Sequence, residues 1–271
     1  MRSGRGPPAG PHRAFNRGSI NWIGLATLYR KEIRKVVVAG AGNTAAPAVF
    51  VVLVLLVFRF AGAGRDAVWG LPVEQFIAPG LLLMTLAHGA FGHCAETILE
   101  SKYDGTIVDL LMPPLGPAEV LAGLVAAAAT RAFAVTAVAA LVVQGLVSLA
   151  PAEPLWLLVF AVLAAAMTAA LGLLAGLWAE RWEHYTAVDV LAALPLIFLS
   201  GTFYSVAVLP DLAQGLVRGN PVFYLIDGFR YGVIGQSDAD PWFGLAVCGA
   251  VTAAVLAWAW RLLAKGTKLK A

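Results

Sequence analysis

His88, His93, Cys94 and Glu96 are the only grouping in this sequence whose side chains have the makings of a metal site. A helix aligns side chains three or four positions apart, and His88 and His93 are five apart, so they diverge. Polar helix-packing groups are the reading this spacing favours over a metal site. Other devices for chemistry are missing. No Lys follows Gly in a phosphate-cradling loop, so there is no P-loop with which to hydrolyse ATP. There is no Gly-Ser nucleophile elbow, no His-Glu-x-x-His and no Cys-x-x-Cys. Intramembrane proteolysis needs paired Asp or a Ser/His pair within spans, and Asp189 stands alone near the start of one. No resident cofactor is expected, and the chain is not read as an enzyme.

The elements around these residues are apolar. Hydrophobic residues make up 60% and charged residues 13% of the chain, against soluble averages of about 45–50% and about 25%. Apolar stretches fall near Thr44–Phe60, Phe76–Cys94, Ala132–Ala150, Leu155–Trp178, Val188–Tyr204 and Trp242–Leu263. Most reach the ~20 residues a helix needs to cross a bilayer. With the N-terminus inside, fourteen of the nineteen Lys and Arg lie on the cytoplasmic side, four lie outside, and Arg131 sits in a span. The inverted topology opposes the positive-inside rule. The expected fold is therefore an all-α membrane protein of six transmembrane helices, multi-pass in the inner membrane, with both termini cytoplasmic. Its basic ends suit anionic lipid headgroups, and no basic groove interleaved with aromatics suggests nucleic acid. Cys94 and Cys248 are expected near opposite faces of the membrane, too far apart for a disulfide.

Residues 1–18 read as a disordered basic arm of Gly, Pro and Arg. No apolar run with a cleavage site occurs there, so no secretory signal is expected. Residues 20–38 alternate an apolar stripe (Trp22, Leu25, Ala26, Tyr29, Ile33, Val36) with a polar one (Thr27, Arg30, Lys31, Arg34, Lys35). That pattern predicts a helix lying in the membrane interface. It either anchors the first span or acts as a lever for a cytoplasmic partner. Pro79 favours a kink or a helix start at the outer end of the second span.

Residues 95–118 are the one substantial inner loop. Glu96, Glu100 and Asp104 share a helical face at four-residue spacing, and Gly105 can end that helix. Thr106–Met112 can form a short transverse helix before Pro113 and Pro114 force extended backbone. A rigid, protruding, partly apolar helix here is a docking element. The third span can begin as early as Pro117 and run beyond thirty residues, leaving Arg131 either to snorkel or to make an interior polar contact. After the fifth span, Pro195 breaks the helix and Ser200–Gly201 interrupts it again. The apolar stretches Val206–Val217 and Val222–Ile234 are too short to cross, predicting outer re-entrant helices over 201–235. Asp227 and Arg230, three apart, can neutralise each other.

Four blocks carry a resemblance: FIAPGLLLM from Phe76, GTIVDLLMPPLGPAE from Gly105, LSGTFYS from Leu199, and NPVFYLIDGFRYG from Asn220. In that order they resemble the type-2 ABC exporter permeases of bacteria, over residues 21 to 271. The resemblance implies an ABC-2 transmembrane domain over 19–271 that works as a half-transporter. Two copies in the membrane would sit above two separate ABC ATPase subunits, which bind the ATP and Mg. It places ATPase coupling on Glu100, Lys102, Tyr103, Asp104, Gly105, Thr106, Asp109, Leu110, Pro113 and Pro114. Trp22, Tyr29, Arg30, Lys31, Arg34 and Lys35 fall on its interfacial helix. His88, Arg131, Phe203 and Tyr204 are candidates for the substrate path. Export of a lipid-like, saccharide or drug-like molecule is expected. The alternatives are a stand-alone channel or ion-coupled carrier, which the scarcity of buried charge disfavours, and a non-transporting scaffold.

Overall fold

The computed structural model describes residues 21–38, 42–61, 68–106 and 115–266. Ten α-helices form among them: α1 Trp22–Val38, α2 Gly42–Ala61, α3 Val73–Tyr103, α4 Pro117–Leu146, α5 Pro154–Trp178, α6 Trp182–Val188, α7 Leu194–Phe198, α8 Asp211–Arg218, α9 Pro221–Ile234 and α10 Pro241–Lys265. No strand forms among the described residues; Val68 and Leu71 make one isolated antiparallel bridge. Proline opens α4, α5, α9 and α10, where its missing N–H costs nothing and its fixed φ suits the first turn. Asn220 caps α9 by accepting from Val222 N at 3.0 Å. Asp240 caps α10 by accepting from Trp242 N and Phe243 N at 2.7 and 3.1 Å.

Among the described residues, α3, α4, α5 and α10 are long and apolar enough to cross a membrane. The first expected span is α2, whose apolar part, Ala45–Phe60, is shorter. The fifth expected span, Val188–Tyr204, is not one continuous α-helix. Helix α6 passes into a π-turn at Asp189–Ala193, then α7, and ends before a turn at Ser200–Gly201. Pro195 sits in the first turn of α7 and does not break the helix. Its absent N–H removes one i→i−4 bond, and in the turn just before it Leu194 N reaches back to Asp189 O. The second span starts at Val73, so Pro79 lies inside a continuous helix and is neither its start nor its end. The third begins at Pro117 and is 30 residues long.

Helix α3 is the buried centre, packed on α5, α4, α9 and α2. Two Gly-x-x-x-Gly pairs set the closest approaches. A Cβ at Gly172 would collide with the carbonyl of Phe91, and one at Gly176 would lie 2.7 Å from Ala95 O, so α5 meets α3 backbone to backbone. On α9, Gly228 abuts the Phe160 ring and Gly232 abuts the Leu157 backbone. Small residues at four-residue spacing bring helices this close where lipid removes the usual hydrophobic drive. α10 carries exposed Trp242 and Phe243 at one end and Trp258 and Trp260 at the other, as aromatic belts at the two interfaces require.

The interfacial helix meets α4 with part of its expected apolar stripe, Leu25 at Gly123 and Tyr29 at Thr130. Among the described side chains of α1, Leu28 and Glu32 are the buried ones and pack it on α4 and α3, whereas Trp22 and Ile23 are exposed. The apolar stripe drawn through Trp22, Ala26 and Ile33 therefore lies beside the docked face. A buried carboxylate on that face was invisible to a hydrophobic pattern.

Candidate functional site

The root of the inner loop is built from three elements. Helix α3 runs on past Ser101 to Tyr103, with Asp104 at its cap and Gly105 turning away at φ +67°. Residues 107–114 lie outside the described residues, and with them the expected transverse helix and Asp109, Leu110, Pro113 and Pro114. On the return side, Glu119 in the first turn of α4 accepts from Gly116 N and from Asn21 N, both at 2.6 Å. One carboxylate thus joins the loop's end to the start of α1. Helix α1 is held further along by a hydrogen bond between Tyr29 and Thr130, 3.0 Å. At the other root, Lys35 of α1 lies 3.4 Å from Glu32 and 3.8 Å from Glu100, and Thr97 donates to Glu32 at 3.4 Å. Arg30, Lys31 and Arg34 remain exposed.

Lys102 points inward. Its ammonium donates to Gly176 O, Leu177 O and Ala179 O at 2.8, 2.7 and 2.8 Å. These are carbonyls at the C-terminal end of α5, where a helix leaves acceptors unpaired and favours a cation. The neighbouring Tyr103 ring lies 6.3 Å from Trp182, the first residue of α6. Asp104, Gly105 and Thr106 lie at the loop's edge, and no Cβ at Gly105 would meet an atom within 4 Å.

A polar cluster sits above this root. His88 Nε2 is 3.0 Å from Asp189 Oδ1, linking α3 to the π-turn. Arg131 Nη1 is 3.2 Å from His93 Nδ1 and 3.9 Å from Glu96. Tyr185 donates to Glu96 at 3.5 Å. Arg131 therefore makes the interior polar contact rather than snorkelling away. The two histidines take separate partners, as their spacing requires. No metal-binding group of three or more ligands forms among the described residues.

His88 and Arg131 also line one cavity of about 430 Å³ between α2, α3, α4 and α7, otherwise walled by apolar side chains such as Phe50, Met84, Leu194 and Phe198. Phe203 is one step removed, stacking on Phe198 and on Phe58 of α2 at 5.5 and 5.6 Å. Tyr204 donates to Leu199 O at 2.8 Å and turns back on its own segment.

The opposite end of the bundle is stapled. Buried Arg230 donates to Gly201 O at 2.5 Å, lies 3.7 Å from Asp227, and covers the Phe76 ring at 4.1 Å. Asp227 accepts from Asp238 N and Ala239 N, both 2.9 Å. Burial pushes the Asp227 carboxyl up to about 6, against the pull of those donors and of Arg230. Burial likewise lowers Arg230, to about 10, so it stays a cation at neutral pH. Asp238 accepts from Ser205 Oγ and Val206 N at 2.5 and 3.0 Å. Cys94 and Cys248 are buried free thiols that donate to different carbonyls, Leu124 O and Pro221 O.

Sequence reasoning missed Glu32, Glu119, Tyr185 and Asp238 as contact makers. For Glu119 a signal existed, because a carboxylate in a helix's first turn, three residues after the cap position, reaches back to the cap N–H.

A sequence profile described as ABC-2 type transporter matches residues 25–234. The inner membrane transport permease YadH of Escherichia coli (strain K12) is 28% identical over 254 residues, which is 93% of this chain and 98% of that protein. The protein of the same name from Shigella flexneri is similar to the same extent.

Proposed function

This chain belongs to the ABC-2 type transporter family, and from that premise we propose that it is the membrane subunit of an ATP-driven exporter. It is a transporter component and not an enzyme. Like its permease relatives it sits in the inner membrane, where four long apolar helices cross and α2 and the α6–α7 segment complete six spans. The charge asymmetry supports a cytoplasmic position for both termini. A separate ABC ATPase subunit binds ATP and Mg and docks on the 95–118 loop, and two copies of the chain face each other across the exposed sides of α2 and α6–α7. The exported molecule is lipid-like, saccharide or drug-like and passes the His88 and Arg131 cavity.

The observation that carries this reading is the braced loop root. Glu119 ties both the loop's end and helix α1 to α4, and Lys35 with Glu100 ties α1 to α3. A lever needs such stiffness at its base if pushing it is to move something else. In the full chain, replacing residues 104–114 with Gly and Ser is expected to abolish capture of the ATPase subunit while the protein still inserts. Gly105→Val or Asp109→Ala is expected to preserve ATP hydrolysis and uncouple it from transport. Unchanged transport with the Gly-Ser loop overturns the assignment.

One observation favours a second reading, an ion-coupled carrier. His88, Glu96, Arg131 and Asp189 come together at membrane-crossing helices, a setting in which ionisable groups commonly serve ion pathways. Nucleotide-free uptake by liposomes holding this chain alone would decide for the carrier.

A further inference from the structure

Within a single chain, helix α6, the π-turn and α7 are held by few neighbouring elements. Val190, Leu191 and Leu196 are exposed, and an apolar cavity flanks the segment on each side. One, about 510 Å³, lies towards α5 and α10 and is lined by Leu174, Trp178, Val188, Ala192, Leu196 and Trp258 among others. The other is the 430 Å³ cavity of His88 and Arg131. A segment with empty volume on both sides and few packed neighbours can move without breaking a core.

What holds it at its inner end comes largely from α3. Tyr103 faces Trp182. Tyr185 stacks on Phe91 at 6.4 Å and donates to Glu96, and His88 bonds to Asp189. Lys102 grips the carbonyls of Gly176, Leu177 and Ala179, the residues where α5 gives way to the turn before α6. An ammonium is a compact charge that can donate to several acceptors at once. Here it brings them together one turn from Gly105, where the docking loop departs.

Resting on the reading above, we infer that Lys102 is a positioning residue that makes the α5–α6 turn move with the loop. A displacement of the α3 tip is carried by the Lys102 ammonium to the 176–179 carbonyls and so to α6 and α7. The close α3–α5 contact at Gly172 and Gly176 keeps the two helices from sliding and directs the motion into the turn. Although it lies within the coupling segment, Lys102 acts inside this chain and not as a contact with the ATPase.

The test uses the full chain with Arg181→Cys as a reporter, since Arg181 is exposed in the α5–α6 turn while Cys94 and Cys248 are buried. In reconstituted complexes with the ATPase subunit, maleimide labelling of the reporter should change at least several-fold between nucleotide-free and vanadate-trapped states. Lys102→Met keeps the length of the side chain and removes the donors. It should erase that difference while the ATPase still co-purifies and hydrolyses ATP. In the chain alone, hydrogen exchange over 176–185 should quicken about tenfold, the response of a local opening that has lost a charged hydrogen bond. A nucleotide-dependent difference that survives Lys102→Met overturns the inference. Loss of ATPase capture overturns it too, because Lys102 would then be a docking contact. If Lys102→Met does not insert, Lys102→Gln, which loses the charge and one of three donors, should at least halve the difference, and an undiminished difference overturns the inference. Failure of the unmodified chain to capture any ATPase removes the exporter reading itself, whereas unchanged exchange over 176–185 removes the Lys102 grip alone.

Discussion

Replacing Gly172 with alanine adds one methyl group where α5 meets α3. The added carbon would fall on the carbonyl of Phe91. That oxygen belongs to a helix backbone and cannot swing aside, so the helices must part by about 1 Å. A gap of ~0.5–1 Å already forfeits a quarter to a half of each dispersion contact, and overpacking of this kind costs about 1–3 kcal/mol. Alanine returns up to about 1 kcal/mol through better helix propensity. Subtracting that gain leaves a net loss of about 0–2 kcal/mol, nearer the upper value because the added carbon meets backbone. Gly145 and Gly249 lie in the spans α4 and α10 with nothing within 4 Å of a Cβ, so alanine there is expected to be neutral or to stabilise. Gly228 should fall between, since the Phe160 ring it abuts is a side chain and can shift. SDS-titrated unfolding of the four variants in mixed micelles gives the ranking. Equal stability of Gly172→Ala and Gly145→Ala would refute the backbone-contact argument.

Two further outcomes follow from the contacts at the two ends of the bundle. Glu119→Ala strands the N–H groups of Gly116 and Asn21, at a cost of about 1–3 kcal/mol; hydrogen exchange over residues 21–38 should accelerate while α5 stays unchanged. The Asp227 carboxyl titrates near 6 in the fold against an ordinary 3.8. Its raised value contributes stability that is complete below 3.8 and is lost as pH rises through about 6. Thermal stability should therefore fall across that window, and Asp227→Asn should flatten the fall. A rise across the window that Asp227→Asn removes would show that pairing with Arg230, and not burial, governs this group.

The all-helical class, the family and the ends of several helices were legible in the chain, and each for a local reason. Pro117 marks the start of the third span because proline acts within one turn of itself, and the same local rule explains Pro154, Pro221, Pro241 and the caps Asn220 and Asp240, which sequence reasoning passed over. The Asp227–Arg230 pair was legible for the same reason, being three residues apart on one helix. The fold's long-range contacts were not. His88 and Asp189 are 101 positions apart, and Asn21 and Glu119 are 98 apart; nothing near either member announces the other. Glu32 shows how a pattern can mislead. A lone acid on a basic stripe reads as solvated, yet it is buried because Lys35 and Thr97 satisfy it. At Pro195 a break midway through the span is the local reading, whereas the π-turn that absorbs the proline depends on the turn before it.

That π-turn at Asp189–Ala193 holds one residue more than an ordinary coil of helix would. Each residue turns an α-helix by about 100°, so inserting one would normally swing everything beyond it onto another side. Here the surplus is taken up as a bulge. Removing a single residue from the bulge should shorten the rod without rotating it, leaving Leu196 towards one hollow and Phe198 towards the other. The bulge is thus the place where this protein can change length and keep its bearings.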